Sequence, residues 1–472
     1  MRTAPQILIV GAGCTGLGAA YRLHELGHRR FTVLEADSGP GGLASSFVDP
    51  EGFTWDLGGH VQFSHYDYFD DLMNRALPGA WVEHIRESYI WMRDRFIPYP
   101  FQSNLRHLPA DDLDRCIDGL IEAQNQRRQP ANFRDWILNS FGPAIGDLFM
   151  LPYNFKVWAH PAVQMGYRWV GERVATVDVA RVLADVALGR DNAAWGPNRT
   201  FRFPLRGGTG AIWNSVAGLI PGSHFHYNTR VAKIDAGRRI VRTAAGREYP
   251  YDVLISTLPV DVCTQLMGDA PLLAEAAQLK YSTTHVIGVG LEGRPTPELA
   301  AKNWMYFPEG NCPFYRVTVF SNYSPNHTPD RSSHWSLMAE VSESGFKPVK
   351  SKDLLDDVVR GMAATRLIQP ADRIKSLWYR RIERGYPVPT LDRDEHVESV
   401  LSTLEDRSIY SRGRFGAWKY EVSNQDHTCM QGVEVVDRIL NGAEEITLRY
   451  PDKVNAGARR APRQQLDLVE AR

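Results

Sequence analysis

The glycine loop after the first apolar run restricts the fold of this chain more than any other feature of the sequence. Residues 7–10, Ile-Leu-Ile-Val, form a predicted buried strand, and three glycines follow it at once in the spacing G-x-G-x-x-G: Gly11, Gly13 and Gly16. Such glycines allow a tight turn and let backbone N–H groups approach a diphosphate at a helix N-terminus. A predicted helix over 17–26 and a second strand over 31–35 complete a βαβ unit.

A carboxylate and a second glycine loop make this pattern more specific. Glu35 ends the second predicted strand, 19 residues after Gly16 (35 − 16), where a carboxylate can accept hydrogen bonds from both ribose hydroxyls of a dinucleotide. The alternative is a glycine turn beside a surface glutamate, which needs no ligand. Residues 41–46, Gly-Gly-Leu-Ala-Ser-Ser, follow soon after and resemble the extended motif of flavoproteins of the glutathione-reductase and amine-oxidase type. FAD is therefore favoured over NAD.

Composition excludes several classes of protein. The chain has 472 residues, 43% hydrophobic and 23% charged, which allows two or three packed domains. Its formal net charge of −1 gives no reason to expect nucleic acid or an anionic membrane as a partner. The five cysteines are scattered without Cys-x-x-Cys spacing, which predicts a reducing cytoplasm and no metal site. No apolar stretch approaches the roughly 18 residues of a membrane span, and the first apolar run is too short for a signal peptide.

The remaining pattern predicts an α/β protein with three domains. Residues 105–188 show helical periodicity, whereas alternating or β-rich segments predict strands at 230–235, 251–257, 284–291, 303–307 and 314–321. We expect a discontinuous Rossmann-like FAD-binding domain over 1–85, 205–275 and 405–452. We also expect a helical insertion domain over 105–200 and an antiparallel β-sheet domain, which binds the substrate, over 86–104 and 276–404. The polar residues 453–472 predict a disordered tail.

A series of motifs in a set order extends the prediction to a family. They are residues 55–66 (WDLGGHVQFSHY), 98–102 (PYPFQ), 153–158 (YNFKVW), 171–175 (GERVA), 195–198 (WGPN), 311–316 (NCPFYR), 385–387 (GYP), 413–416 (GRFG) and 424–427 (NQDH). From about residue 5 to residue 452, the chain resembles the eukaryotic type of UDP-galactopyranose mutase. Many separate motifs in matching order make a chance match implausible.

The resemblance implies a flavin-dependent mutase that interconverts the pyranose and furanose forms of a nucleotide-linked sugar, such as UDP-galactopyranose and UDP-galactofuranose. In that family N5 of the reduced FAD acts as nucleophile on the anomeric carbon, so the reaction has no net redox change and needs no protein nucleophile. Three catalytic residues are implied: His60, in the loop beside the flavin, and Arg173 and Arg316, whose guanidinium groups suit the leaving diphosphate. For either arginine alone, a surface salt bridge is the alternative.

The resemblance also implies contacts to the cofactor and the substrate, residue by residue. FAD contacts are implied for Gly11, Gly13, Thr15, Gly16, Glu35, Gly42, Leu43, Ser46, Gly59, Val231, Arg414, Asn424 and Gln425. Substrate contacts are implied for Phe63, His65, Tyr99, Phe101, Gln102, Asn154, Trp158, Asn198, Tyr306, Tyr386 and Tyr420. NADPH is the implied reductant, received at Arg86 and Ser88. A homo-oligomer is compatible with this pattern.

Three hypotheses on function stay open from the sequence. Gln62, Leu151 and Ser423 differ from the family pattern near the base and sugar pockets, so the same mutase chemistry on a GDP- or dTDP-linked sugar stands beside the favoured UDP-galactose. An FAD-dependent oxidase of the amine-oxidase type would instead release peroxide in the presence of its substrate. A non-enzymatic binding protein that resembles the GDP-dissociation inhibitors would bind no flavin.

Overall fold

The computed structural model describes residues 4–125, 128–193 and 196–456. Within these ranges the strands are β1 (Ile7–Val10), β2 (Phe31–Leu34), β3 (Ser46–Val48), β4 (Thr54–Asp56), β5 (Trp81–Ile85), β6 (Ser88–Met92), β7 (Arg95–Pro98), β8 (Thr200–Pro204), β9 (Phe225–His226), β10 (Val231–Asp235), β11 (Ile240–Thr243), β12 (Glu248–Pro250), β13 (Val253–Ser256), β14 (Lys280–Glu292), β15 (Trp304–Tyr306), β16 (Arg316–Thr318), β17 (His334–Glu343), β18 (Ile374–Val388) and β19 (Ile409–Ser411). The α-helices are α1 (Cys14–Glu25), α2 (Asp67–Ala76), α3 (Ala110–Asn125), α4 (Phe133–Ile145), α5 (Leu151–Trp158), α6 (Val179–Ala187), α7 (Gly210–Gly218), α8 (Val260–Met267), α9 (Ala270–Ala276), α10 (Pro297–Ala300), α11 (Leu354–Ala364), α12 (Arg393–Glu405), α13 (Gln425–Asn441), α14 (Ile446–Arg449) and α15 (Pro451–Asn455).

Five short strands form a parallel sheet in the order β19-β13-β1-β2-β9. β1 lies at its centre, and all four of its residues are buried, because helices cover both faces of such a sheet. α1 connects β1 to β2, which confirms the predicted βαβ unit. β13 and β19 come from segments far along the chain, so distant residues complete the sheet. The domain boundaries given above stay a prediction.

A second, seven-stranded sheet has the order β18-β14-β17-β16-β15-β6-β7. Its neighbours run antiparallel except for β15 and β6, which are parallel. Two glycines in β14 allow the close approach of an aromatic pair: a Cβ at Gly288 would lie 2.6 Å from the Trp55 ring, and one at Gly290 would lie 2.7 Å from the Phe53 ring. The sheet therefore packs directly on the segment that leads into the loop of His60.

The helical region predicted over 105–188 contains α3, α4, α5 and α6, with a π-helical turn at 146–150 between α4 and α5. α3 and α4 cross closely because neither has a side chain at the crossing point: a Cβ at Gly142 would lie 2.3 Å from the Gly119 carbonyl oxygen. Phe101, Phe141 and Trp158 belong to the buried cluster of this region, which also includes Tyr315 from the region of the second sheet. Phe101 and Trp158, two of the predicted substrate residues, thus belong to one continuous core.

The C-terminal helix α13 packs on α1 without intervening side chains. A Cβ at Gly432 would lie 2.0 Å from the Thr15 carbonyl oxygen, and one at Gly18 would lie 2.4 Å from the carbonyl oxygen of Cys429. This contact brings motif 424–427, at the start of α13, toward the first glycine loop. α15 extends to Asn455, and residues 457–472, the greater part of the predicted tail, lie outside the described residues. Among the described helices, none is both long and apolar enough to cross a membrane.

Candidate active site

The first glycine loop has the geometry of a diphosphate cradle. Gly11 has φ +99°, and a Cβ at Gly16 would lie 1.9 Å from the Gly11 carbonyl oxygen, so both positions require glycine for the turn itself. At Gly13, by contrast, φ is −75° and a Cβ would meet no protein atom closer than 3.8 Å. The fold alone does not require glycine there, whereas a ligand that approaches the backbone at the N-terminus of α1 does. These residues fit the diphosphate of FAD.

Glu35 is positioned by the same loop. Its Oε2 accepts the N–H of Ala12 at 2.7 Å, and its Oε1 accepts the N–H of Asp37 at 2.8 Å. A carboxylate offers about four acceptor sites, so these two bonds orient Glu35 and leave capacity for ribose hydroxyls. The side chain is buried at the end of β2, as the sequence predicts for this role.

Asp56 joins the second glycine loop to the turn at 206–210. This buried carboxylate accepts hydrogen bonds from the hydroxyls of Ser46 and Thr209 and from the Thr209 N–H, and Ser46 Oγ accepts the N–H of Gly210 at 2.7 Å. Burial raises the pKa of Asp56 to about 6, although these donors act in the opposite direction. The sequence analysis missed Asp56 as a positioning residue, although it lies within motif 55–66.

Other predicted cofactor contacts lie around the start of α13. Asn424 is the N-cap residue of that helix, and Gln425 accepts the indole N–H of Trp213 at 2.7 Å. A Cβ at Gly413 would lie 2.5 Å from Thr15 Oγ1, which places the loop of Arg414 against α1. Leu43 is exposed on the second glycine loop and Val231 is buried at the start of β10. Their contacts to FAD stay predictions.

Glu340 holds the predicted catalytic residues in place. Its Oε1 accepts the Gly59 N–H at 2.9 Å and Arg316 Nε at 2.8 Å, and its Oε2 accepts Arg316 Nη2 at 2.8 Å and the Tyr315 hydroxyl at 2.6 Å. Gly59 allows this approach, since a Cβ there would lie 2.8 Å from Thr318 Oγ1. Burial alone would raise the pKa of Glu340, but the Arg316 guanidinium and the hydrogen bonds outweigh it and lower that pKa. Glu340 is therefore ionised at neutral pH.

His60 lies beside this ion pair. Burial lowers its pKa to about 4; Glu340 acts to raise that pKa, and Arg316 and Arg414 act to lower it further. The imidazole is thus neutral at physiological pH, and its Nδ1 is buried without a hydrogen-bond partner among the described residues. The structure brings His60 and Arg316, which are 256 residues apart (316 − 60), into one site.

Arg173 and Arg414 flank the Tyr420 ring and contact no carboxylate in the described part of the chain. The Arg173 guanidinium carbon lies 5.0 Å from the Tyr420 ring centre, and Nη2 donates to the Tyr420 carbonyl at 3.2 Å. Its Nη1 is buried without a partner within the described ranges. Arg414 donates to the Gly385 carbonyl at 2.8 Å and to Ser423 Oγ at 2.9 Å, and burial lowers its pKa. Two partly buried cations without a counter-ion create a strong preference for an anion here.

Aromatic side chains connect the arginines into one pocket. Tyr420 lies 5.8 Å from Tyr386 and 4.7 Å from Trp158, measured between ring centres. Tyr306 lies 5.3 Å from Tyr99 and 5.2 Å from Tyr153. Burial raises the pKa of each of the three half-buried tyrosines Tyr306, Tyr386 and Tyr153, so their hydroxyls remain protonated hydrogen-bond donors. The structure joins the predicted substrate residues of three distant motifs.

The predicted base pocket is partly occupied by internal contacts. Gln102 donates through Nε2 to the Ala175 carbonyl at 2.6 Å, and Phe101 stacks on Phe149 at 4.8 Å; both predicted residues are buried. Asn154 donates to the Met150 carbonyl, one helical turn earlier, at 2.8 Å. These bonds use an amide N–H of Gln102 and of Asn154, and the roles of these residues in base recognition stay predictions.

The predicted NADPH residues lie beside the substrate residues. The Arg86 guanidinium carbon lies 5.0 Å from the Tyr99 ring centre, and Nη1 donates to Asn198 Oδ1 at 2.6 Å. Ser88 is buried in β6, with no hydrogen-bond partner for its hydroxyl among the described residues. Trp195, from the same motif as Asn198, lies outside the described residues.

His65 contacts a carboxylate at the start of α13. Its Nδ1 atom lies 2.7 Å from Asp426 Oδ2. Asp426 also accepts the His65 backbone N–H at 3.1 Å, and the His427 ring lies 4.6 Å from that of His65. Burial alone would raise the pKa of Asp426, but the two histidines outweigh it and lower that pKa. The potential ligand atoms of these three residues lie within 4.8 Å of one another, which the hydrogen bond explains without a metal ion. Phe63 packs against the edge of the His65 ring.

The chain is similar to known flavoproteins in sequence and in structure. The family model for flavin-containing amine oxidoreductases matches residues 14–404. A crystal structure of reduced UDP-galactopyranose mutase is similar, with a TM-score of 0.94 and 47% sequence identity over 96% of this chain and 98% of that one. A putative protoporphyrinogen oxidase from Exiguobacterium has a TM-score of 0.69 and 18% identity over 93% of this chain and 99% of that one. Putrescine oxidase bound to putrescine has a TM-score of 0.62 and 14% identity over 92% and 99%. The last two show the fold alone.

Proposed function

Because this chain belongs to the flavin-containing amine oxidoreductase family and, within it, to the UDP-galactopyranose mutases, we propose that it converts UDP-galactopyranose into UDP-galactofuranose. It is an FAD-dependent mutase. The observation that carries the assignment to this site is the pair Arg173 and Arg414, two cations without a carboxylate partner in the described residues, beside the Arg316–Glu340 ion pair. A diphosphate ester carries about two negative charges, which such an arrangement can neutralise.

Reduced FAD, when bound, supplies the nucleophile of the reaction, its N5 atom. The protein holds the other reactant. We propose that Arg173 and Arg316 bind the diphosphate as it leaves the anomeric carbon and keep it in place for its return. Arg316 uses Nε and Nη2 for Glu340, so its Nη1 faces away from that carboxylate and can donate to a phosphate oxygen.

The aromatic wall has a separate proposed role. We propose that Tyr306, Tyr386, Tyr420 and Trp158 exclude water from the reacting sugar. The Trp158 ring meets Tyr386 and Tyr420 edge to face, and those two tyrosine rings are tilted against each other at 5.8 Å. Excluding water protects the separated sugar and diphosphate from hydrolysis. Neutral His60 cannot add a further positive charge beside Arg316 and Arg414, and its ring and loop border the proposed flavin site.

The experiment that tests this function compares reduced and oxidised protein. Purified protein with FAD is incubated with UDP-galactopyranose after dithionite reduction, and separately with NADPH, and the furanose product is separated by chromatography. We expect product only from reduced protein. Equal turnover by oxidised protein under air would overturn the mechanism, and substrate-dependent peroxide without furanose would establish the oxidase alternative.

The nucleotide is tested by binding. The retained Tyr99, Phe101 and Gln102 support UDP, whereas Leu151 and Ser423 differ from the family pattern. In the structure Ser423 Oγ accepts a hydrogen bond from Arg414, so the serine at this position helps to hold Arg414. If GDP or dTDP binds at least about tenfold tighter than UDP, a gap of about 1.4 kcal/mol, the UDP assignment is wrong while the mutase chemistry stands.

We also propose NADPH as the reductant, a cytoplasmic location and a homo-oligomeric assembly. The contacts among Arg86, Tyr99 and Asn198 support the first, because an arginine beside an aromatic ring suits a phosphorylated nucleotide. Stopped-flow reduction by NADPH with an Arg86→Ala variant tests that role. Cell fractionation and native mass spectrometry test the other two.

A further inference from the structure

Lys156 of α5 lies against Cys312. Its Nζ donates to the carbonyl oxygens of Glu309 and Cys312, both at 2.9 Å, and to Cys312 Sγ at 3.4 Å. Both side chains are buried, with exposed fractions of 8% for Lys156 and 6% for Cys312. The Ser342 hydroxyl donates to the Lys156 carbonyl, which ties this end of α5 to β17. The amine and the thiol therefore have a defined relative position.

We propose that Lys156 and Cys312 form a covalent cross-link under oxidising conditions, in which one oxygen atom bridges Nζ and Sγ. The separation of 3.4 Å is too long for a direct nitrogen–sulfur bond without a large backbone shift, but one interposed oxygen closes it with a small one. Cys14, Cys116, Cys263 and Cys429 have no hydrogen bond from a lysine in the described part of the chain. Cys312 is thus set apart from the other cysteines by its partner.

Burial prepares the amine for this reaction. It lowers the pKa of Lys156, against the pull of Cys312 and Glu309, and so increases the fraction of neutral amine that can react. Burial also raises the pKa of the Cys312 thiol, but Lys156 favours the thiolate through its charge and its hydrogen bond. Thiolate character controls the first oxidation of a cysteine. Burial therefore favours the neutral amine of Lys156, and the contact with Lys156 favours the thiolate of Cys312.

Hydrogen peroxide is the oxidant of the proposed step. One amine and one thiol react with two molecules of peroxide to give the N–O–S bridge and three molecules of water. The N–O and O–S bonds form, one N–H bond, the S–H bond and both O–O bonds break, and nitrogen and sulfur each lose two electrons to peroxide oxygen. Two molecules of a dithiol reductant cleave the bridge to the amine, the thiol and one molecule of water, and each dithiol becomes a disulfide.

The bridge would connect two parts of the proposed active site. α5 carries Asn154 and Trp158, and Cys312 begins the segment that reaches Arg316 four residues later (316 − 312). Forming the bridge removes the ammonium that now donates to two carbonyl groups of the 309–312 loop. Oxidation thereby acts on the loop before Arg316.

The test is mass spectrometry of the full-length protein with FAD, treated with hydrogen peroxide and denatured without reductant. We expect a mass increase of about 14 Da, one oxygen gained and two hydrogens lost, and a proteolytic fragment that joins residues 156 and 312. Dithiothreitol should remove both signals. The measurement does not depend on activity, so its failure is distinct from a failure of the proposed function.

Two variants and two controls make the test specific. Lys156→Arg and the milder Cys312→Ser should abolish the cross-link, and Cys312→Ser answers the question if the lysine variant folds poorly. Cys116→Ser, which removes another buried thiol, and Lys347→Gln, which removes the second lysine near Lys156, should leave it unchanged. Oxidation of Cys312 alone without a cross-link, no mass change, or a cross-link from Lys347 would overturn the proposal.

Discussion

Replacing Glu340 by glutamine should lower turnover without loss of bound FAD. Glutamine keeps the size of the side chain and one acceptor oxygen but places an NH2 group where a carboxylate oxygen now faces Arg316. In the structure that carboxylate receives two bonds from Arg316 and one each from Gly59 and Tyr315. The substitution removes the only carboxylate that contacts Arg316 in the described part of the chain.

The expected loss of stability follows from the burial of Glu340. Glu340 has an exposed fraction of 2%, and loss of one partner of a buried ion pair costs about 3–5 kcal/mol, since the other charge stays buried. Because one acceptor remains and Arg316 is partly exposed, we expect a loss of about 3 kcal/mol in the free energy of unfolding. Turnover should fall about 10²-fold, as it does when one preorganised donor is misplaced, with normal FAD content.

Glu343→Gln is the matched control on the same strand. Glu343 lies at the end of β17, accepts from Arg381 at 3.0 Å and contacts His285 Nε2 at 3.1 Å, and its side chain is 21% exposed. Glutamine keeps a polar group that can bond to His285, so the substitution should cost about 1 kcal/mol or less. Denaturant unfolding of the FAD-loaded proteins and furanose formation by the reduced proteins measure both effects. If Glu340→Gln matches wild type in unfolding and turnover, Glu340 does not position Arg316.

Three further predictions test other parts of the site. Arg173→Ala should lower turnover about 10²–10³-fold with normal FAD content. Arg181→Ala should not, because the Arg181 side chain is exposed and its partner Asp185 keeps a second ion pair with Arg190. Unchanged turnover in Arg173→Ala would mean that Arg173 does not bind the diphosphate. Asp56→Asn should remove a pH dependence of the free energy of unfolding. The folded protein keeps the Asp56 proton up to about pH 6, whereas the unfolded chain releases it near 3.8. The stability of the wild type should therefore fall by about 3 kcal/mol as the pH rises through that window. Denaturant unfolding of both proteins from pH 4 to 7 measures this, and parallel curves would contradict it. Gly13→Ala should weaken FAD binding at least about tenfold with little loss of apoprotein stability. Gly16→Ala should instead destabilise the fold, since its Cβ would overlap the Gly11 carbonyl. Equal effects of the two substitutions on unfolding and on FAD fluorescence titration would refute the assignment of this loop to the diphosphate.

Local sequence determined the dinucleotide-binding βαβ unit of this protein. The strand at 7–10, the spacing of Gly11, Gly13 and Gly16, and Glu35 lie within 29 residues (35 − 7 + 1), and turn geometry and helix start depend on neighbours in the chain. Motif order likewise pointed to the family and to Arg173, Arg316 and His60. A short stretch of backbone imposes the turn and the helix start by itself, whereas the roles of Arg173, Arg316 and His60 are implied by the family resemblance.

Only the tertiary structure decided which groups contact the charged side chains of the site. Glu340 reaches Gly59 across 281 residues of sequence, and Arg173 reaches Tyr420 across 247. Both contacts depend on how the second sheet and the helical region pack around the flavin-binding sheet. The same holds for His65, which the sequence assigned to the substrate and the fold turns toward Asp426. A hydrogen-bond partner is set by distance in space, and no periodicity within one element records which distant element will lie beside it.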